Sequence, residues 1–319
     1  MMLGLRKAAT LLLTCAFATA AHAELRALIV SGLGGEPGFE SEFRRQAESV
    51  AAAAIKIAVS PTDVVLLKGD QARATDVQRE LRALAKSSTS TDQLLVVFIG
   101  HGSYDGQEYR YNLPGPDLTG RQLLDLLNDI PARQQLIVNT TSASGAVLEQ
   151  WKRPGRIVVT ATRSGGERNA THFARYWVEA LTSAEADRDK DERVTVQEAF
   201  EFATRKVNDA YKSDVAIATE HAQLAGEGGA QFSVAYFGDV ARFATDPELV
   251  AMRRELVAAE QSLDQLRSSK ATLDGKVYYD QLEQALVTLA KVDRRIDGRL
   301  AALGANGNAN KNTSKEAKP

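Results

Sequence analysis

Cysteine is the scarcest reactive residue here. The 319 residues contain one, Cys15, and it lies in the first apolar stretch. That stretch has the composition of an export signal. Arg6 and Lys7 form a basic start, Ala8 to Ala20 an apolar middle, and Ala21-His22-Ala23 a small-residue cleavage site. Removing residues 1–23 would begin the mature chain at Glu24 and leave no thiol. A chain without thiols has no disulfide, no cysteine-ligated zinc and no cysteine nucleophile. Thr14 precedes Cys15 where a lipoprotein signal would carry a smaller residue, so lipidation is not expected.

Long apolar runs are also missing. The apolar middle of the leader is too short to span a bilayer, and no later stretch is long enough, so no membrane span is expected. Positive charge is in short supply as well. With Arg6 and Lys7 removed, 37 basic residues face 41 acidic ones, a formal charge of −4. No basic patch stands out, which argues against a nucleic-acid partner. The expected location is outside the cytoplasm, in the periplasm.

What remains is an ordinary globular mixture, 44% hydrophobic and 25% charged. Apolar runs at Leu25–Ser31, Thr62–Leu67, Leu94–Ile99, Gln135–Thr140, Arg156–Ala161 and Gln231–Phe237 read as strands. Between them, helical periodicity marks about 39–58, 72–85, 119–128, a short helix to Trp151, then 171–182 and 195–211. Glu108–Leu113 alternates like a small hairpin at a sheet edge. Strands separated by helices predict parallel βαβ units over roughly 24–244, with helices on both faces of the sheet. Gly32-Leu33-Gly34-Gly35 after the first strand lacks the dinucleotide fingerprint, because Pro37 stands where its third glycine belongs. The turn reads instead as one that lets the backbone approach a site.

From Pro247 the pattern changes. Leu249, Met252, Leu256, Ala259, Leu263 and Leu266 recur at alternating spacings of three and four, a heptad seam. Tyr279, Leu282, Leu286, Leu289, Ile296 and Leu300 form a second stripe beyond a break at Gly275. Two such stripes predict an antiparallel helical hairpin over 247–302. It either packs on itself and the domain or serves as an arm for self-association. Residues 303–319 are low in complexity and read as disordered.

Asp187, Asp189 and Asp191 precede Glu198 at the spacing of an EF-hand loop. In a calcium site they would supply positions one, three, five and twelve, with the Arg193 carbonyl at seven and Thr195 at nine. Val194 suits the apolar position eight. Glu192 stands where the sharp turn wants glycine, which demands an awkward backbone angle and adds charge. The alternative is a solvated acidic loop with Asp and Thr caps. Calcium is the one cofactor the sequence suggests.

Catalytic chemistry concentrates at two predicted strand ends. Leu94–Ile99 runs into Gly100-His101-Gly102, and the strand ending at Thr140 runs into Thr141-Ser142-Ala143-Ser144-Gly145. In open α/β sheets ligands bind at the carboxyl ends of strands. VVFIGHGSYDG followed by LIVNTTSASGA resembles the caspase–hemoglobinase fold, and more closely the legumain-like cysteine peptidases. The resemblance covers roughly residues 25–240 and leaves out the helical hairpin. It implies a three-layer α/β/α sandwich with a mostly parallel sheet. It also implies a catalytic histidine at His101, with the Gly102 backbone contributing to an oxyanion hole. The nucleophile's position falls on Ser142, and Ser144-Gly145 match the residues that follow it. A hydroxyl needs a base within hydrogen-bond reach where a thiol does not. Asp92 and Asp105 lie near His101 in sequence, and neither is an obvious orienting partner.

Three readings follow. The site is a relic that binds a peptide or protein partner; or Ser142, with Ser144 as its rival, acts with His101 as a serine hydrolase; or the chain is a scaffold led by its hairpin. Arg163, after the fifth strand, either pairs an acidic group of a ligand or is a solvated loop residue. His172 and His221 lie apart, without ligand spacing, and read as core or surface residues.

Overall fold

The computed structural model describes residues 25–316 apart from Val59 and Ala216, and side chains as far as Gly304, Gln261 excepted. The predicted leader, 1–23, lies outside the described residues, as do 317–319. Strands β1 (Leu25–Ser31), β2 (Val64–Leu67), β3 (Gln93–Ile99), β7 (Gln134–Asn139) and β8 (Arg156–Thr160) form a parallel sheet in the order β2-β1-β3-β7-β8. β10 (Gln223–Ala225) adds antiparallel to β8 at the outer edge. All of Leu94–Ile99 is buried, as a central strand covered on both faces requires.

Alternate side chains enter two cores. Ala27, Ile29, Leu95 and Val97 meet α1 (Pro37–Ile57), α5 (Phe173–Thr182) and α6 (Val196–Ser213) through Phe43, Val50, Trp177 and Phe202. Leu28, Val30, Leu94 and Val96 meet α2 (Ala74–Ser87), α3 (Gly120–Asn128) and α4 (Leu148–Trp151) through Val77, Leu81, Leu123 and Trp151. The protein is therefore an α/β protein with a mostly parallel central sheet and a helical C-terminal region. Thr119 caps α3 as expected, in a reciprocal capping box with Gln122.

Two expectations about the strands need correction. The predicted edge hairpin is the middle of a three-stranded antiparallel sheet of β4 (Gly102–Tyr104), β5 (Tyr109–Tyr111) and β6 (Leu118–Thr119). The strand predicted at Gln231–Phe237 is β11 (Ser233–Tyr236); it leaves the main sheet to pair with β9 (Arg193–Thr195), a strand with no sequence signal. The main sheet instead ends on Gln223-Leu224-Ala225, too short and poor in β-branched residues to be read.

The hairpin consists of α8 (Pro247–Ser268) and α9 (Gly275–Glu316), preceded by the short α7 (Gly238–Arg242). Asp246 caps α8 by accepting from the Leu249 amide at 3.0 Å and binds Arg299 of α9 at 2.9 Å, which fixes the antiparallel pairing. Leu249, Leu256 and Leu263 are buried as the heptad seam predicts. Among the described side chains of α9, Tyr278 and Val292 are buried, while Tyr279 and Leu286 are 62% and 46% exposed. Leu282, Leu289, Ile296 and Leu300 are half-buried along the same seam, as the second stripe predicts, while Tyr279 and Leu286 sit one residue past it. α9 also continues to Glu316, through most of the stretch whose composition suggested disorder. Propagation from an existing helix needs no new nucleus.

Val250 and Arg253 of α8 share a cavity with Leu25 and Gln93, and Asp264 and Gln265 share another with Gln134 and Gly155. The hairpin thus crosses the starts of β1, β3, β7 and β8. Among the described residues no helix is long and apolar enough to cross a membrane.

Candidate functional site

The opposite edge of the sheet carries His101 and Ser142, and two glycines bring the strand ends together. Gly100 adopts φ 143°, and a Cβ on it would sit 3.3 Å from the Gly32 Cα. A Cβ on Gly102 would lie 2.5 Å from the Ser142 carbonyl oxygen and 2.6 Å from Thr141 Oγ1. The His-Gly end and the hydroxyl-rich turn therefore meet backbone to backbone. Gly34 packs as closely onto the start of α1, and its amide donates to Glu40 at 2.9 Å. The glycine turn after β1 lets the chain pack closely against Asn112, Tyr111 and the start of α1.

The turn after β7 is pinned by a buried polar network. Tyr109 Oη and Thr141 Oγ1 lie 2.6 Å apart, Thr141 donates to Asn139 Oδ1 at 2.8 Å, and Asn139 Nδ2 donates to Tyr109 at 3.1 Å. Burial pushes the Tyr109 hydroxyl up to about 12, beyond what its two hydrogen-bond partners offset, so it stays protonated. Tyr111 reaches across the strand ends and donates to the carbonyls of Val30 and Ile99. Ser31, closing β1 at this edge, is buried with its hydroxyl unpaired. Ala143, after Ser142, is left-handed at φ 56°, a conformation costing about 1–2 kcal/mol in an L-residue. Its amide donates to the Glu167 carbonyl at 2.7 Å, which holds it there.

His101 faces the start of α1. Its ring meets Phe39 and Phe43 edge-on at 4.9 and 5.0 Å. Desolvation between these rings lowers its pKa; a hydrogen bond to the Gly34 backbone and the charge of Glu36 pull the other way. The imidazole is therefore neutral at pH 7. Among the described residues it makes no hydrogen bond with Ser142. Ser142 is 2% exposed, and its hydroxyl makes no hydrogen bond within the described protein. Neither sequence-near acid orients His101. Asp105 accepts from the amides of Gln107 and Glu108, and Asp92 binds Arg26 at the start of β3.

Ser144 is fully buried and committed to the neighbouring loop. Its hydroxyl accepts from the Thr162 amide at 3.2 Å and lies 3.2 Å from Thr162 Oγ1. Arg163 is 63% exposed and bound to Glu167 at 3.1 Å. Glu167 also accepts from the His221 amide at 3.1 Å and lies 2.6 Å from His221 Nδ1. Sequence reasoning missed this histidine–carboxylate pair, which joins residues 54 apart with no local motif. His172 is structural: its amide and that of Phe173 bind Glu220 at the start of α5, and its ring lies against Tyr211. Burial raises the pKa of Glu220, against the pull of those amides.

The acidic loop lies away from this edge, between α5 and β9. Single carboxylate oxygens of Asp187, Asp189 and Asp191 fall within 4.8 Å of one another. Asp187 accepts from the amides of Lys190 and Glu192 at 2.7 and 3.0 Å, and Asp191 binds the Arg193 guanidinium at 2.8 Å. Glu198 caps α6 with Thr195 and accepts from the Arg188 amide. Burial and the neighbouring charges of Asp191 and Glu198 raise the pKa of Asp189. Glu192 has φ 64°, the angle its place in the loop demands. Its carboxylate accepts from the Val240 amide at 3.0 Å, a structural task that glycine could not perform.

No family model matches this chain, and no curated protein does. Among solved structures it is similar to protein GSU0716 from Geobacter sulfurreducens, at 13% identity and a TM-score of 0.44, over 64% of this chain and 94% of that one.

Proposed function

We propose that the chain is an exported protein of caspase–hemoglobinase type whose carboxyl-edge site binds a peptide segment or protein partner without cleaving it. One observation carries the reading. The nucleophile's position holds Ser142, which has no hydrogen bond to His101, while the imidazole is wedged between Phe39 and Phe43. A serine without a base in reach is a poor nucleophile. The sheet order, five parallel strands and one antiparallel edge strand, agrees with the sandwich expected from the motifs. The test is a panel of peptides and esters against the mature protein and its Ser142→Ala, Ser142→Cys and His101→Ala variants. Wild type is expected to turn nothing over and to retain peptide binding in Ser142→Ala. Turnover by wild type that Ser142→Ala abolishes would refute the reading and establish a serine hydrolase.

A second reading, assembly through the hairpin, has its own support. Val277, Tyr279, Leu286 and Val287 are all exposed on α9. Light scattering on Leu286→Lys distinguishes them: a fall in mass favours assembly, and an unchanged mass leaves α9 with a purely intramolecular role.

A further inference from the structure

The two sides of α9 treat their charges differently. Across the hairpin, Arg295 pairs with Glu255, and Arg299 with Asp246 and Glu248. On the side turned away from α8, Glu283, Lys291 and Arg294 are exposed and make no hydrogen bond or ion pair among the described residues. Asp280 binds only Lys276, one turn back on the same helix, at 2.6 Å. Tyr279, Leu286 and Val287 are exposed on this side too, and with Glu283 and Ala290 they line a shallow groove. Residues three and four apart are neighbours on a helix surface. Asp280, Glu283, Val287, Lys291 and Arg294 therefore form one line along α9.

The order of charges along that line names the occupant. Val287 stands seven residues from both Asp280 and Arg294, and four from both Glu283 and Lys291. Two acids precede it and two bases follow, so the pattern reverses in sign about its own centre. An identical helix laid antiparallel, with Val287 on Val287, brings every acid opposite a base. A parallel copy would set acid on acid and base on base, which is repulsive. Charges beside a helical seam set orientation in this way. We propose that this side of α9 docks antiparallel on the same side of a second copy, with the two-fold axis at Val287. The inference rests on the reading that the hairpin assembles the chain, and supplies the partner and the geometry. Leu286, Val287 and Ala290 form the apolar middle. Glu283 faces the partner's Lys291 about 6 Å from the axis, and Asp280 the partner's Arg294 about 10 Å from it. The same patch on both subunits closes the assembly at two. One helix side on another lies near the low end of interface areas, about 1,200 Å², so the dimer dissociates on dilution.

The experiment combines sedimentation over a hundredfold range of concentration with oxidative crosslinking. Residues 24–319 contain no cysteine, so a single introduced thiol reports its neighbour without background. All the substituted positions are exposed, which spares the fold. A monomer–dimer equilibrium is expected, weakened at least tenfold in Leu286→Lys and in Lys291→Glu and restored in the Glu283→Lys/Lys291→Glu double variant. Val287→Cys is expected to crosslink with itself. Asp280→Cys is expected to crosslink with Arg294→Cys in a mixture, and neither with itself. A dimer that Leu286→Lys dissociates, but in which Asp280→Cys crosslinks with itself, would overturn the antiparallel pairing and leave assembly through the hairpin standing. A charge swap that fails to restore the dimer would likewise overturn the pairing alone. A monomer at every concentration, or a dimer indifferent to Leu286→Lys, would overturn both.

Discussion

Glu260 allows a quantitative test of how the hairpin is seated. Its carboxyl faces Arg193 and Asp191 from the β9 side, Tyr236 of β11, Arg253 and Asp264 on its own helix, and Asp293 and Asp297 on α9. Burial raises its pKa from 4.5 to about 7; Arg193 opposes the rise, and Asp293, Asp264 and Asp191 add to it. A carboxyl held higher in the folded state than in the unfolded chain favours folding while it is protonated. That advantage is complete below pH 4.5 and is lost as the pH rises toward 7. At 1.36 kcal/mol per tenfold change in acidity, ionising Glu260 costs the fold about 3 kcal/mol at most. Glutamine mimics the protonated form in size and hydrogen bonding. Glu260→Gln should therefore match wild type in urea denaturation at pH 4.5 and exceed it by about 1–3 kcal/mol at pH 8. The difference between the two proteins removes every titration they share. Equal differences at both pH values would refute the reasoning, because they would mean that Glu260 is solvated and the hairpin does not bury it.

Gly102→Ala places a methyl 2.5 Å from the Ser142 carbonyl and should cost about 1–3 kcal/mol, read as a lowered Tm. An unchanged Tm would mean that the two strand ends are not in contact. If the acidic loop takes calcium, the ion raises Tm by neutralising Asp187, Asp189 and Asp191 and Asp187→Asn removes most of the gain; no shift would leave it a solvated acidic loop. Full retention of the gain in that variant would place the calcium effect elsewhere.

The central strands were legible because burial on both faces leaves an unbroken apolar run, as in Leu94–Ile99. Thr119 and Gln122 announced α3 through a local hydrogen-bond pattern. What escaped reading depends on partners distant in sequence. β10 is a strand because β8 offers it an edge, and β9 because β11 does. Tyr278 and Tyr279 are adjacent and chemically alike, so only the position of α8 decides which is buried. At the candidate site, the His-Gly end and the hydroxyl turn were visible as strand ends. The placement of the His101 ring against Phe39 and Phe43 was not, because it depends on how α1 crosses the sheet. Glu167 with His221 was invisible for the same reason.

The sheet separates two kinds of chemistry. β1 and β3 have seven residues each and rise about 3.3 Å per residue, so the amino edge under α8 and the carboxyl edge near His101 stand about 20 Å apart. Fully buried, hydrogen-bonded parallel strands are poor hinges. Substitutions at the two edges share no contacts and should act additively. Coupling between the edges would require a two-state element reaching both. α1 is the element placed for that role, since Phe43 packs on His101 while Ile57 shares a cavity with Arg253 and Val257. Any communication between the hairpin and the candidate site should therefore run through α1 and be weakened by shortening Phe43.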